Sequence, residues 1–185
     1  MSPSTPGARR FYNWPRMENA EHDFGEALSV DAEAIGQPGQ RTFRLLVKAA
    51  SRTASIWMEK QQLAGIAIWL DEVLERLDRE QPSDEPAVEP LPVGAIFDVE
   101  FRATQIGLGY SEEDGLFAIH AFDERMAGGA PAFRCLLTRG QSRTLSRKIA
   151  EVVAGGRPLC PLCDMPIDPA GHVCPRSNGH HQIGV

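Results

Sequence analysis

Between residues 42 and 77 the apolar residues of this chain change period, and that change limits the fold more than any other feature. From 42 to 48, Phe43, Leu45 and Val47 alternate with other residues, and from 53 to 59 Ala54, Ile56 and Met58 do the same. A period of two belongs to a strand with one buried face, and the short connection at 49–52 predicts a hairpin. From 61 to 77 the spacing becomes three and four, through Leu63, Ile66, Ala67, Leu70, Val73, Leu74 and Leu77. That stripe predicts an amphipathic helix able to cover one face of the hairpin.

Pro82, Pro86, Pro90 and Pro92 then fall among acidic residues in 78–92. Proline lacks an N–H and fixes φ, so neither a helix nor a central strand survives that density, and a solvated linker is expected. Beyond it, Phe97, Val99 and Phe101 oppose Asp98, Glu100 and Arg102, and Ile106, Leu108 and Tyr110 continue the alternation to a turn at 111–115. Residues 116–122 are apolar on both faces, as a central strand would be. Gly107 and Gly109 read as a bulge rather than a nucleotide loop. Phe133, Cys135 and Leu137 mark a further strand. Leu145, Ile149, Val152 and Val153 form a second amphipathic stripe, stopped by Gly155, Gly156 and Pro158.

Residues 1–33 show little periodicity and are expected to be mostly irregular, with a short strand near 27–30. The expected architecture is α+β, a mostly antiparallel sheet with two amphipathic helices on one face, over residues 34–156. Phe43-Arg44-Leu45-Leu46 resembles Phe133-Arg134-Cys135-Leu136, which hints at a duplicated half, although strand propensity alone produces such matches.

The tail, residues 157–185, carries the clearest chemistry. Cys160 and Cys163 are two apart in a turn-forming run, and His172 and Cys174 follow after a short loop. Two thiolates from a Cys-x-x-Cys turn and a second pair facing them suit a tetrahedral Zn²⁺ ion. Cys160, Cys163 and Cys174 are the expected ligands, with His172 the preferred fourth, His180 the alternative and His181 third. Three thiolates donate charge to the metal and a closed set leaves no position for water, so the zinc is expected to be structural, in a zinc-ribbon-like appendage. Three of the four cysteines lie in this tail and Cys135 stands apart, which favours a reducing compartment over a disulfide framework.

The 185 residues suit one main domain plus a small appendage, and 42% hydrophobic content is enough for a packed core. A net charge of −6 argues against whole-protein attraction to nucleic acid or anionic membrane. The longest apolar run, 63–70, is far short of the ~20 residues a membrane helix needs, and the N-terminus lacks an apolar signal core. A cytoplasmic location is expected. Arg139, Arg143 and Arg147, with Lys148, recur along the second helix as a basic stripe able to bind phosphate or a nucleic-acid backbone. The plainer reading is the solvated face that any amphipathic helix needs. His120 precedes Asp123 and Glu124 closely enough for a base with a carboxylate orienter, yet a strand histidine is more often structural. No nucleophile elbow or phosphate-cradling glycine loop accompanies it.

Three segments carry a resemblance: Gly36-Gln-Pro-Gly-Gln-Arg-Thr-Phe43, the helix start Glu59-Lys-Gln-Gln-Leu63, and Gly156-Arg-Pro-Leu-Cys-Pro-Leu-Cys163 running on to Gly171-His-Val-Cys-Pro-Arg176. They resemble an uncharacterised, chiefly actinobacterial family, a domain of unknown function, over residues 11–178. The resemblance implies a bound metal and carries over no activity onto particular residues. The chain departs from that pattern at Asp164, where such turns commonly have glycine. The expected function is therefore a zinc-binding interaction or regulatory protein with a protein partner and no catalytic residues. The alternative is an enzyme or accessory of phosphate or nucleotide metabolism, or a nucleic-acid binder, using the arginine stripe.

Overall fold

The two periodicities become strands and helices where the spacing places them. The computed structural model describes residues 20–37, 40–83, 85–86, 88–92, 94, 96–125, 129–155, 160–163, 167, 172–174, 176 and 182–183. In chain order these form β1 (His22–Glu26), β2 (Ser29–Ile35), β3 (Thr42–Ala49), β4 (Arg52–Met58), α1 (Lys60–Glu80), β5 (Val99–Arg102), β6 (Gln105–Ser111), β7 (Leu116–Phe122), β8 (Phe133–Leu137), α2 (Arg139–Ala154), β9 (His172–Val173) and β10 (Gln182–Ile183). The α+β expectation holds, with two four-stranded sheets among the described residues, ordered β1-β8-β7-β6 and β2-β3-β4-β5. Four of their six pairings are antiparallel; β1/β8 and β4/β5 are parallel.

The sheets are joined at both edges by continuous chain. β1 runs into β2 through Ala27 and Leu28, and β5 runs into β6 through Ala103 and Thr104. At the first corner Ala27 N–H bonds Leu136 O at 2.9 Å and Leu28 N–H bonds Lys48 O at 2.8 Å. At the second, Ala103 N–H bonds Trp57 O and Thr104 N–H bonds Phe122 O, both at 2.8 Å. Each bent strand thus satisfies its backbone on both sheets, and the hydrogen-bonded circuit closes.

Those paired corners belong to a tandem repeat. The unit β1-β2-β3-β4-α1 recurs as β5-β6-β7-β8-α2, and each unit lends its first strand to the other's sheet, parallel to the fourth strand there. The register agrees in detail. Phe43 faces Met58 as Phe117 faces Leu137, and Leu46 faces Ser55 as His120 faces Arg134. Each fourth strand leads at once into a helix cap, Glu59 or Thr138. The glutamine three residues on, Gln62 or Gln141, accepts that cap's N–H at 2.8 and 2.9 Å respectively. The side-chain amide of each glutamine then donates to a corner of the other unit, Gln62 to Thr104 O and Gln141 to Ala27 O. The helices meet at equivalent residues, Ser146 Oγ lying 3.4 Å from Ala67 O. The Phe43 and Phe133 segments that look alike are therefore not equivalents: β3 matches β7, and β8 matches β4.

One core serves both units. Leu63, Ile66 and Leu70 of α1, fully buried, pack with Leu45, Ile56, Phe117, Ile119, Leu145 and Ile149 in a single cluster. Each such side chain is worth roughly 2 kcal/mol of burial. Trp69 sets its ring edge-on to Phe117 at 6.0 Å, fixing α1 on the second unit's sheet.

Three expectations change. Residues 22–33, expected to be mostly irregular, hold β1 and most of β2; Asp23 and Gly25 weaken the local strand signal, and pairing with β8 and β3 supplies the order. Gly107 and Gly109 form no bulge, because β6 pairs with β7 in unbroken register. The proline-rich segment follows the longer α1 but is not simply solvated. Ser29 Oγ accepts Leu91 N–H at 2.8 Å, and a Cβ on Gly140 would lie 2.4 Å from Pro86 O.

Candidate metal centre

The tail's three cysteines converge. Cys160 begins a turn through Cys163, and Cys174 follows the strand β9, which β10 pairs antiparallel with Val173 opposite Gln182. The Sγ atoms of Cys160, Cys163 and Cys174 all lie within 4.8 Å of one another. Those of Cys160 and Cys174 are 3.7 Å apart. A disulfide needs about 2.05 Å. Two thiolates on one tetrahedral zinc, each bond about 2.3 Å, stand about 3.8 Å apart. The three cysteines could hold a metal ion, and the Cys160–Cys174 separation is that of two ligands sharing one.

Around them Ile167, 5% exposed, joins Cys160 and Cys174 in a small apolar cluster separate from the main core. Cys163 is less buried and packs on its edge. Arg176 donates to Leu162 O at 3.0 Å, tying the second half of the tail to the Cys-x-x-Cys turn. Nothing in the sequence pattern marked Ile167, and Arg176 stood out only as the end of the resembling segment. Leu162 and Val173, each adjacent to a ligand-type cysteine, point outward at 47% and 65% exposure. His172 lies in β9 next to Val173, while His180, His181 and Asp164 fall outside the described residues. The fold-back that a His180 ligand would require does occur, since Gln182 pairs with Val173.

The basic stripe has a different setting. α1 and α2 enclose a groove of about 430 Å³ lined by Asp71, Leu74, Glu75, Asp78, Arg143 and Arg147. Arg143 forms a two-pronged pair with Asp78, its Nη1 at 2.8 Å from Oδ2. The Arg143 hydrogen bond holds the Asp78 carboxyl below its ordinary pKa, and the same contact raises that of Arg143. Arg139 donates to Gln81 O at 2.7 Å with Asp78 3.9 Å away. Arg147 is exposed and Lys148 half-buried. The four cations thus do not form one open clamp, because the Asp78 carboxylate of α1 faces the first two. Sequence reasoning saw the polar face of α2 and had no way to see what lies across from it.

His120 is not oriented by Asp123, whose carboxylate is gripped by Arg125 at 2.9 and 3.1 Å. The ring is 3% exposed and neither nitrogen has a partner among the described residues. Burial pushes its pKa down to about 4, Arg134 lowers it further and Asp23 opposes, so it is neutral at pH 7. Cys135, fully buried in the core, is held as a thiol by burial, its pKa pushed up to about 12.

The family described as Protein of unknown function (DUF3090) matches residues 22–174. The chain belongs to this family. The match begins at the first residue of β1 and ends at Cys174, so both repeats and all three converging cysteines lie inside it. No curated protein and no solved structure matches the chain. Among the described residues no helix is long and apolar enough to cross a membrane.

Proposed function

We propose that this protein is a zinc-binding interaction protein whose tail is a structural metal centre. Cys160, Cys163 and Cys174 supply three ligands, His172 the fourth, with His180 as the alternative. The 3.7 Å separation of the Cys160 and Cys174 sulfurs carries the reading, since it matches a shared tetrahedral ion and not a disulfide. Burial adds to it: Cys160 is 0% and Cys174 3% exposed, and sulfur ligands so close and so shielded from water suit a bound metal ion. A thiolate-rich, closed ligand set makes a poor Lewis acid, and no carboxylate joins the cluster among the described residues. The metal's role is to fold the tail.

The interaction half of the reading rests on Leu162 and Val173, which the metal loop presents to solvent beside its ligands. A protein partner with an apolar pocket fits them better than nucleic acid, which would need an open basic surface. A reducing, cytoplasmic location keeps the thiolates available to the metal. Elemental analysis of the purified chain should find close to one zinc per molecule, and absence of metal overturns the centre. Leu162→Asp with Val173→Asp should release a co-purifying partner while zinc is retained; unchanged capture would refute the docking role.

A further inference from the structure

On the face of the β1-β8-β7-β6 sheet turned away from the core, four residues stand in one register row: Gly107, His120, Arg134 and Asp23. Arg134 Nη1 donates to Asp23 Oδ2 at 2.8 Å, and the other Asp23 oxygen accepts Gly25 N–H at 2.9 Å. No other Arg134 N–H is engaged among the described residues, and its side chain is 20% exposed. The guanidinium is pinned with an edge to spare. On the far side of His120, Gly107 brings no side chain into the row.

Packing does not call for a histidine here. The equivalent position in the first repeat is Leu46, in the same register with its fourth strand and also buried. Arg134 likewise stands where that repeat has Ser55. The second repeat has therefore placed an imidazole and a guanidinium side by side where the first has an aliphatic chain and a hydroxyl. A buried ring with both nitrogens unpartnered among the described residues weakens the fold, so its presence asks for a ligand.

We propose that His120 and Arg134 form a binding site for the oxyanion group, phosphate or carboxylate, of a small ligand. The open edge of Arg134 receives the anion at the surface and the His120 N–H donates from beneath. The two groups offer N–H donors, and a guanidinium beside the ring disfavours a cation. Among the described residues the other charge acting on His120 is Asp23, which Arg134 neutralises. An arriving anion favours the protonated imidazole, so binding takes up a proton.

The full chain is titrated with inorganic phosphate, and separately with acetate, while the His120 ring and, in the variants too, the backbone amides of residues 107, 120 and 134 are followed by NMR. A saturable shift is expected in at least one arm, and the arm that responds gives the chemistry of the group. Affinity should tighten as pH falls from about 7.5 to about 5.5, and His120→Leu and Arg134→Gln should each weaken it roughly tenfold or more. His120→Leu should remain folded, as the Leu46 counterpart does, and its thermal melt checks this. A ring unmoved in both arms, or unchanged affinity in a folded His120→Leu, overturns the site.

Discussion

Replacing His120 with leucine should stabilise the fold, and the gain should grow as pH falls. The wild-type ring is 3% exposed with both nitrogens unpartnered among the described residues. A polar group buried in that state costs roughly 1–3 kcal/mol. Leucine already occupies the equivalent place, Leu46, so the backbone there accepts its shape. A gain of roughly 1–2 kcal/mol at neutral pH follows. The pH dependence comes from linkage. The folded pKa is about 4 against an ordinary 6.5. The unfolded chain therefore binds a proton that the folded chain refuses between those values. Stability is complete above the unfolded pKa, declines as pH falls through it, and the decline ends below the folded one. From about pH 7.5 to about pH 5 this single ring should remove about 2 kcal/mol from the wild type. The variant should lack that loss while sharing every other titration. Urea denaturation of both proteins at the two pH values, in buffer free of phosphate and carboxylate, measures the difference. If both lose the same free energy, His120 is hydrated or partnered in solution and the reasoning fails.

Chelation of the metal should unfold the tail and spare the body, because the cysteine cluster is separate from the main core. Hydrogen exchange should rise at 160–174 while β3 and β7 stay protected; loss of protection throughout would refute that division. Gly140→Ala should destabilise by roughly 1–3 kcal/mol, since its Cβ would sit 2.4 Å from Pro86 O and helix propensity would otherwise predict a gain. A thermal melt decides the sign. Asp78→Asn should cost no more than about 1 kcal/mol, because the carboxylate is 37% exposed and screened. Its contribution is present above the ordinary carboxylate pKa and lost as pH falls through the lowered one, so the two proteins should converge in acid. Cys135 should resist alkylation in the folded protein, whereas the tail cysteines should react once metal is removed; mass mapping of the modified thiols checks the order.

The local elements were legible because their signals are local. β3, β4 and α1 follow from an alternation that turns into a three-and-four spacing, and α1 buries the same seven residues that the spacing picks out. The cysteines were legible because a Cys-x-x-Cys turn aims its sulfurs whatever surrounds it. The repeat was not, because its halves share register and capping but few side chains. Leu46 answers to His120, Ser55 to Arg134 and Ala67 to Ser146, and the loop of 50–51 answers to one of 123–132. The visible likeness, which strand propensity alone can produce, is instead between Phe43-Arg44 and Phe133-Arg134, which lie on strands of different rank.

By itself the sequence determined the strands and helices from β3 to α2, and that the tail gathers cysteines at ligand spacing. Both depend on neighbours a few residues away, where bond geometry leaves few choices. Only the tertiary structure decided that each repeat lends its first strand to the other's sheet. It also decided that Asp78 faces the arginines of α2, and that His120 is sealed beside Arg134 rather than set against Asp123. Those contacts join residues far apart in the chain, so they depend on which closed arrangement buries both helical stripes at once. No local pattern encodes that choice.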